Sequence, residues 1–239
     1  MNARIPLRIF GARMRARIVL DQIRWHFSDV YAVEGFYDDA APAGSPGPGG
    51  HPVLGRVEEG LSAMAGGETH AFLALGTYWS WRACEILAAL DDRRIAVASL
   101  VAPTAQVSPS AAVGRNALVM AGVFIGAEVL AGDLLTAHGG VAVEHHARLG
   151  HNVLLGPGTA LAGCSIVGDH CFLGTGTRVI PEIRIGAGTM TGAGSVVVRD
   201  LPAGVVATGM PAVARRAVRD DDEVPSPATV TRLQPLLQR

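Results

Sequence analysis

Hydrophobic positions follow two different rules in the two parts of the chain. In the first hundred residues, short apolar runs alternate with helical spacing. IPLRIFGA (residues 5–12) is a compact apolar run closing on Gly, and RMRARIVLDQIRW after it places Ile18, Leu20 and Ile23 at helical intervals. This predicts a strand followed by a helix. VYAVEGFYDD (30–39) and HAFLALG (70–76) predict further strands, with VEEGLSAMA (57–65) and SWRACEILAAL (80–90) as the intervening helices. Such alternation predicts a small parallel α/β domain over residues 1–98. Within it AAPAGSPGPGGHP (40–52) is a Pro/Gly loop, long enough to cover a ligand or to serve as a mobile connection.

From Val101 the period becomes six. An aliphatic or small residue returns at every sixth position through Val197; 14 of these 17 first positions are Val, Ile or Leu, the others being Ala131, Ala137 and Thr191. The second position is Gly in nine of the 17 hexads, and the fifth is small or apolar, as in Ala105, Val123, Ala147, Thr159, Ser165 and Ser195. An α-helix cannot keep a six-residue period on one face, because about 3.6 residues per turn carries the column around the cylinder. The pattern instead suits very short strands joined by tight corners, with glycine permitting unusual backbone angles there and two columns facing inward. A triangular coil takes three hexads, so the region predicts a parallel β-solenoid of about five coils stacked at roughly 4.8 Å. It occupies residues 99–216; residues 217–239 form a charged, Pro-containing tail with a candidate helix at LQPLL.

Composition narrows the class of partner. The 239 residues are 49% hydrophobic, enough for a sizeable core, and 20 basic against 21 acidic residues give a net charge of −1. No global field draws such a chain to nucleic acid or anionic lipid. The N-terminus lacks an apolar signal core and no uncharged apolar run reaches about 18 residues, so membrane insertion is not expected and a cytoplasmic location is. Cys84, Cys164 and Cys171 are too few and too irregular for a disulfide framework or a thiolate metal site, and are expected to be small buried hydrophobes.

The hexads resemble those of the hexapeptide-repeat acyltransferases, a likeness covering about residues 100–216. It implies a left-handed parallel β-helix, a homotrimer, and active sites in clefts between neighbouring prisms. The order of α/β domain, FYDD, PVLG and hexads is similar to the sialic acid O-acetyltransferase and bacillosamine N-acetyltransferase group. There a Rossmann-like N-terminal domain holds a nucleotide-linked amino sugar through a glycine-rich turn after the first strand and an acidic pair after the second. The resemblance places the turn at Gly11, Ala12 and Arg13 and the pair at Asp38 and Asp39. Arg13, Met14 and Arg15 depart from the usual turn, where Arg13 or Arg15 is suited to pair with diphosphate charge. IGAGTMTGAGSVVVRDLPAGVVATGMPAVARR (185–216) resembles the closing segment of acyl-CoA-dependent members. Its GMPA (209–212) implies acetyl-CoA or another short acyl-CoA, with pantetheine along Gly163, Thr175 and Ala193. Arg215 or Arg216 then meets a CoA phosphate or forms a basic helix end.

VEHHARLGH (143–151) carries three of the eight histidines. The resemblance makes His145 the general base, with Glu144 before it as orienting carboxylate and His146 in place of the usual following acid. Neutral imidazole accepts a proton near pH 7, and an adjacent carboxylate orients the ring. Residues 18 apart stack in a triangular solenoid, so Gly163 falls one coil beyond His145; the resembling enzymes use this glycine N–H to bind the thioester oxygen. His138, where Asn is usual, joins the substrate-binding set, and Leu154 stands where a second His is usual. The chain is thus expected to transfer an acyl group to an amino or hydroxyl group of a nucleotide sugar without a metal. Two alternatives are a catalytically silent nucleotide-sugar-binding trimer and a zinc hydratase built on His146 and His151. The positions 36 residues before those histidines are Ser110 and Arg115, which leaves the zinc set without its third histidine.

Overall fold

The computed structural model describes residues 3–64, 67–75, 81–219 and 222. The ends of three expected elements, Ala65, Gly76 and Ser80, and the candidate helix at LQPLL lie outside these residues. The N-terminal unit comprises β1 (Ile5–Phe10), α1 (Met14–His26), β2 (Tyr31–Tyr37), β3 (Val53–Gly55), α2 (Val57–Ala63), β4 (His70–Leu73) and α3 (Trp81–Asp92). Its four strands are parallel in the order β3-β2-β1-β4. Leu7, Ile9, Phe10, Phe36 and Phe72 are fully buried, and α1 covers the sheet with Ala16, Val19, Leu20 and Ile23. The Pro/Gly loop folds into a hairpin: Gly44 N–H donates to Val53 O at 2.8 Å and Gly47 N–H to His51 O at 2.8 Å. A Cβ at Gly49 would lie 3.1 Å from Leu20 Cδ1, so the hairpin seats on the C-terminal half of α1, away from the turn at Gly11.

Seventeen two-residue strands follow, β5 (Leu100–Val101) to β21 (Val196–Val197). From β5 to β18 (Arg178–Val179) each pairs in parallel with the strand 18 residues on, as in Ile125↔Val143 and Val143↔Leu161, which gives three flat faces. First positions are buried from Val119 onward and fifth positions from Ala117 onward, forming one continuous core. The corners correct the expected role of the second-position glycines. Left-handed backbone falls at the fourth position, as in Glu128 (φ 57°), His146 (φ 58°), Asn152 (φ 53°) and Gly158 (φ 66°). The second-position glycines instead permit close stacking: a Cβ at Gly156 would lie 2.7 Å from Thr175 N, and one at Gly186 only 2.3 Å from Ala203 N. Cys171 is buried as expected and Cys84 half-buried, but Cys164 is exposed because it occupies a fourth-position corner with φ 61°.

The antiparallel hairpin of β22 (Val205–Gly209) and β23 (Ala212–Ala217) caps the solenoid, with the GMPA stretch at its turn. Arg215 and Arg216 therefore lie on a strand, not a helix end, and Arg216 pairs with Asp222 at 2.5 Å. The two units are joined through Asn116, which is fully buried; its side chain accepts from Leu73 N–H at 2.7 Å and donates to Leu73 O at 3.1 Å. Among the described residues no helix is long and apolar enough to cross a membrane.

Candidate active site

His145 is a third-position residue and sits exposed on a corner of the prism. Its Nδ1 is 3.1 Å from His146 Nδ1, the two rings meeting edge to face at 85°. His146 Nε2 lies 3.2 Å from Glu128 Oε2. Glu128 and His146 stack because they are fourth-position residues of successive coils. One coil beyond His145, a Cβ on Gly163 would fall 2.6 Å from His145 Cε1 and 2.7 Å from Nε2. The imidazole thus occupies the space that a side chain at 163 would fill. Among the described residues the Gly163 N–H has no acceptor. Glu144 is exposed and its carboxylate accepts no hydrogen bond among the described residues, so the partner of the His145 ring is His146.

The three corners differ in what happens to the third-position N–H groups. On one, three in succession are met by a side chain of the next coil: Arg115 N–H donates to Asp133 Oδ1 at 2.7 Å, Asp133 N–H to His151 Nδ1 at 3.0 Å, and His151 N–H to Asp169 Oδ1 at 2.7 Å. Burial alone would raise the Asp133 carboxyl, but hydrogen bonds from Arg115 outweigh it and hold the group below its ordinary value. That edge is self-capped. The other two are open: among the described residues the N–H groups of Gly163 on one, and of Thr175 and Ala193 on the other, find no acceptor. Thr175 and Ala193 are both exposed. The His145 and Thr175 edges bound the face carrying Ala142–Val143 and Ala160–Leu161, so one chain does not bring these residues together. His146 and His151 likewise stand on different edges. Among the described residues no group of three or more His, Cys, Asp or Glu is placed to hold a metal ion.

The turn after β1 is built around Gly11, whose φ of 99° and whose position, with a would-be Cβ 2.8 Å from Ala74 O, leave no room for a side chain. Asp38 is buried and fixes this turn, accepting from Ala12 N–H and Ala40 N–H, each at 2.8 Å. Asp39 is more open; it accepts from Val57 N–H at 3.1 Å and faces Arg56 and Arg82 at 3.7 and 3.9 Å. Arg13 is exposed at the start of α1, while Arg15 reaches the solenoid and donates to Thr136 Oγ1. His138 follows two residues later on the solenoid. Burial, and then the positive charge of Arg15, push its imidazole below the ordinary value. Leu154 is half-buried in a strand paired with Thr136–Ala137 and adds no polar group.

No protein-family model matches the chain. PerB from Caulobacter crescentus, solved in complex with CoA and GDP-perosamine, is 35% identical; the match covers 90% of this chain and 99% of PerB, with a TM-score of 0.79. The chain belongs to the hexapeptide-repeat sugar acyltransferases. The acetyltransferase domain of PglB from Neisseria gonorrhoeae, solved with acetyl coenzyme A, is 27% identical over 89% of this chain and 100% of that domain, with a TM-score of 0.79. Curated sequences match this acyltransferase over shorter stretches. UDP-3-O-acylglucosamine N-acyltransferase of Caulobacter sp. is 38% identical over 72 residues, 30% of this chain, and the chain spans only 21% of that protein. Beside His146 the structure places Glu128, a residue that the sequence reading did not single out. Its sole signal is position, 18 residues before His146, which is readable only once the corner is known to lie at the fourth hexad position.

Proposed function

We propose that the chain transfers an acetyl or other short acyl group from acyl-CoA to the amino group of a nucleotide-linked amino sugar. His145 is the general base, and the observation that carries the reading is its ring lying against Gly163, whose N–H has no acceptor among the described residues. As the amine nitrogen attacks the thioester carbon, His145 takes its proton and the Gly163 N–H donates to the developing oxyanion. The C–S bond then breaks and the CoA thiolate leaves, the proton on His145 being available to it. Full-length similarity to a protein crystallised with GDP-perosamine favours an amine acceptor over a hydroxyl, and a GDP-linked amino sugar as the first substrate to try.

Residues 1–98 then serve as a Rossmann-like sugar-nucleotide domain. In support, Gly11 lies beside Ala74, with Ala12 and Arg13 following it, at the crevice between β1 and β4 where the strand order reverses, a usual ligand position in parallel sheets. Asp38 holds that turn in shape, Asp39 flanks it, and the Arg15 contact with Thr136 links it to His138. Residues 99–216 form the left-handed transferase unit, with pantetheine along Thr175 and Ala193. Because these lie on a different edge from His145 and Gly163, a homotrimer that sets one copy's Thr175 edge against the next copy's His145 edge completes the site. Acyl-CoA and nucleotide sugars are metabolites of the cytoplasm, where we place the enzyme.

The test is isothermal titration with acetyl-CoA and a panel of UDP-, GDP-, dTDP- and CMP-linked amino sugars, followed by mass analysis of the product. The expected result is binding of both and addition of one acetyl group to the amine. Sugar-nucleotide binding without acyl-CoA binding would instead favour the silent trimer. Chelator-sensitive hydration of carbon dioxide would favour the zinc reading.

A further inference from the structure

We propose that His146 and Glu128 are positioning residues that hold the resting proton of His145 on Nδ1, leaving the Nε2 lone pair as the base; this rests on the assignment of His145 as general base. The argument starts at Glu128. A carboxylate 3.2 Å from His146 Nε2 can only accept, so that nitrogen carries a hydrogen. Neutral His146 then has its lone pair on Nδ1. That lone pair faces His145 Nδ1 at 3.1 Å, and two acceptors at this distance would repel, so His145 Nδ1 is the donor. The remaining nitrogen of His145, Nε2, is consequently unprotonated, and it is the atom 2.7 Å from the would-be Cβ of Gly163. Proton placement and oxyanion donor converge on one side of the ring.

Glu128 is held for this task from both ends of its own peptide. Its N–H donates to Ser110 Oγ at 3.1 Å and its carbonyl accepts from Arg148 Nη1 at 2.5 Å. Both Glu128 and His146 adopt left-handed backbone, which projects their side chains from the same corner. When His145 Nε2 takes the proton of the attacking amine, its Nδ1 proton can pass to His146 Nδ1. The positive charge then resides on His146 beside the Glu128 carboxylate; as the thiolate leaves and takes the Nε2 proton, the shared proton returns from His146 Nδ1 to His145 Nδ1, and both rings are neutral again. The bonds formed and broken at carbon are those of the transfer itself, and no further reactant enters. Glu144, the carboxylate adjacent in sequence, takes no part.

Because the Glu128 and His146 side chains are 61% and 49% exposed, their ion pair adds little to stability, and a functional effect is separable from a folding one. The experiment records histidine-ring nitrogen–carbon correlation spectra of the uniformly nitrogen-15-labelled full chain, above the titration of both rings. The expected result is His145 protonated on Nδ1 and His146 on Nε2, with Glu128→Ala returning His145 to protonation mainly on Nε2. In parallel, Glu128→Ala should lower kcat by roughly tenfold with KM for acetyl-CoA and the thermal midpoint unchanged, and Glu128→Gln, whose amide oxygen still accepts from His146, should retain more activity than Glu128→Ala. His145 protonated on Nε2 in the unaltered chain, or Glu128→Ala with unchanged spectra and kcat, would overturn the proposal. A chain that transfers no acyl group to any sugar would overturn the enzymatic reading, while the ring spectra would still decide where the proton rests.

Discussion

Gly163 has no left-handed φ that would call for glycine; the nearest obstacle to a side chain is the His145 ring. Gly163→Ala is therefore expected to fold but to push the imidazole aside, lowering turnover by about 10²-fold, the scale of a lost oxyanion contact. Any stability lost in Gly163→Ala should disappear in the His145→Ala background, where the clash has gone; a double-mutant cycle by thermal unfolding measures this. His145→Ala alone should keep acetyl-CoA binding and assembly while slowing transfer by about 10²–10⁴, read from initial rates. The sequence exposes His145 and Gly163 together because both follow from the 18-residue period. It conceals the carboxylate of this corner: Glu144 is adjacent in sequence, whereas the carboxylate that reaches His146 is one coil away, at Glu128.

At the scale of the coil, two glycine columns have opposite requirements. Gly156 sits where a Cβ would strike the backbone of the next coil, at 2.7 Å from Thr175 N; Gly158 has open space but φ 66°. Gly156→Ala is expected to cost about 1–3 kcal/mol by forcing coils apart, while Gly158→Asn should be nearly neutral, since Asn tolerates left-handed backbone; denaturant titration compares them. The period and its two inward columns were legible because burial repeats strictly, whereas the glycine roles were not, since a sequence records that glycine is present and not which contact requires it. Corners at Glu128, His146 and Cys164 reach the same conformation without glycine. The Asn116 clamp was equally silent, a single polar residue among many. Asn116→Ala should leave both the N–H and the carbonyl of Leu73 unpaired in a buried joint and destabilise the chain by about 1–3 kcal/mol or more, seen as a lowered urea midpoint.

Across the whole molecule, acid should weaken the joint between the two units before it affects the rest. Burial and Arg15 lower His138 from its ordinary 6.5, and burial, with Asp169 opposing and His151 assisting, lowers His170 from the same value. The folded state then binds fewer protons than the unfolded chain, so their contribution is intact above about pH 6.5 and is lost as pH falls through the folded values. Carboxylates such as Asp133, lowered from 3.8, act only further down. Thermal midpoints at pH 7.5 and 5.5 should fall for the unaltered chain, and fall less for His138→Asn. The alternation of strand and helix announced the N-terminal sheet, but not that Arg15 would cross to Thr136, because contacts between units are specified by neither period. The coil register also governs how such a chain can lengthen or shorten. Inserting or deleting six residues between Gly163 and the terminal hairpin would rotate everything beyond it by one edge, exchanging a self-capped edge for an open one, whereas a change of 18 preserves every edge. Viable length variants are accordingly quantised in whole turns of the prism, and the separation between the His145 corner and the hairpin can be adjusted only in steps of one strand spacing.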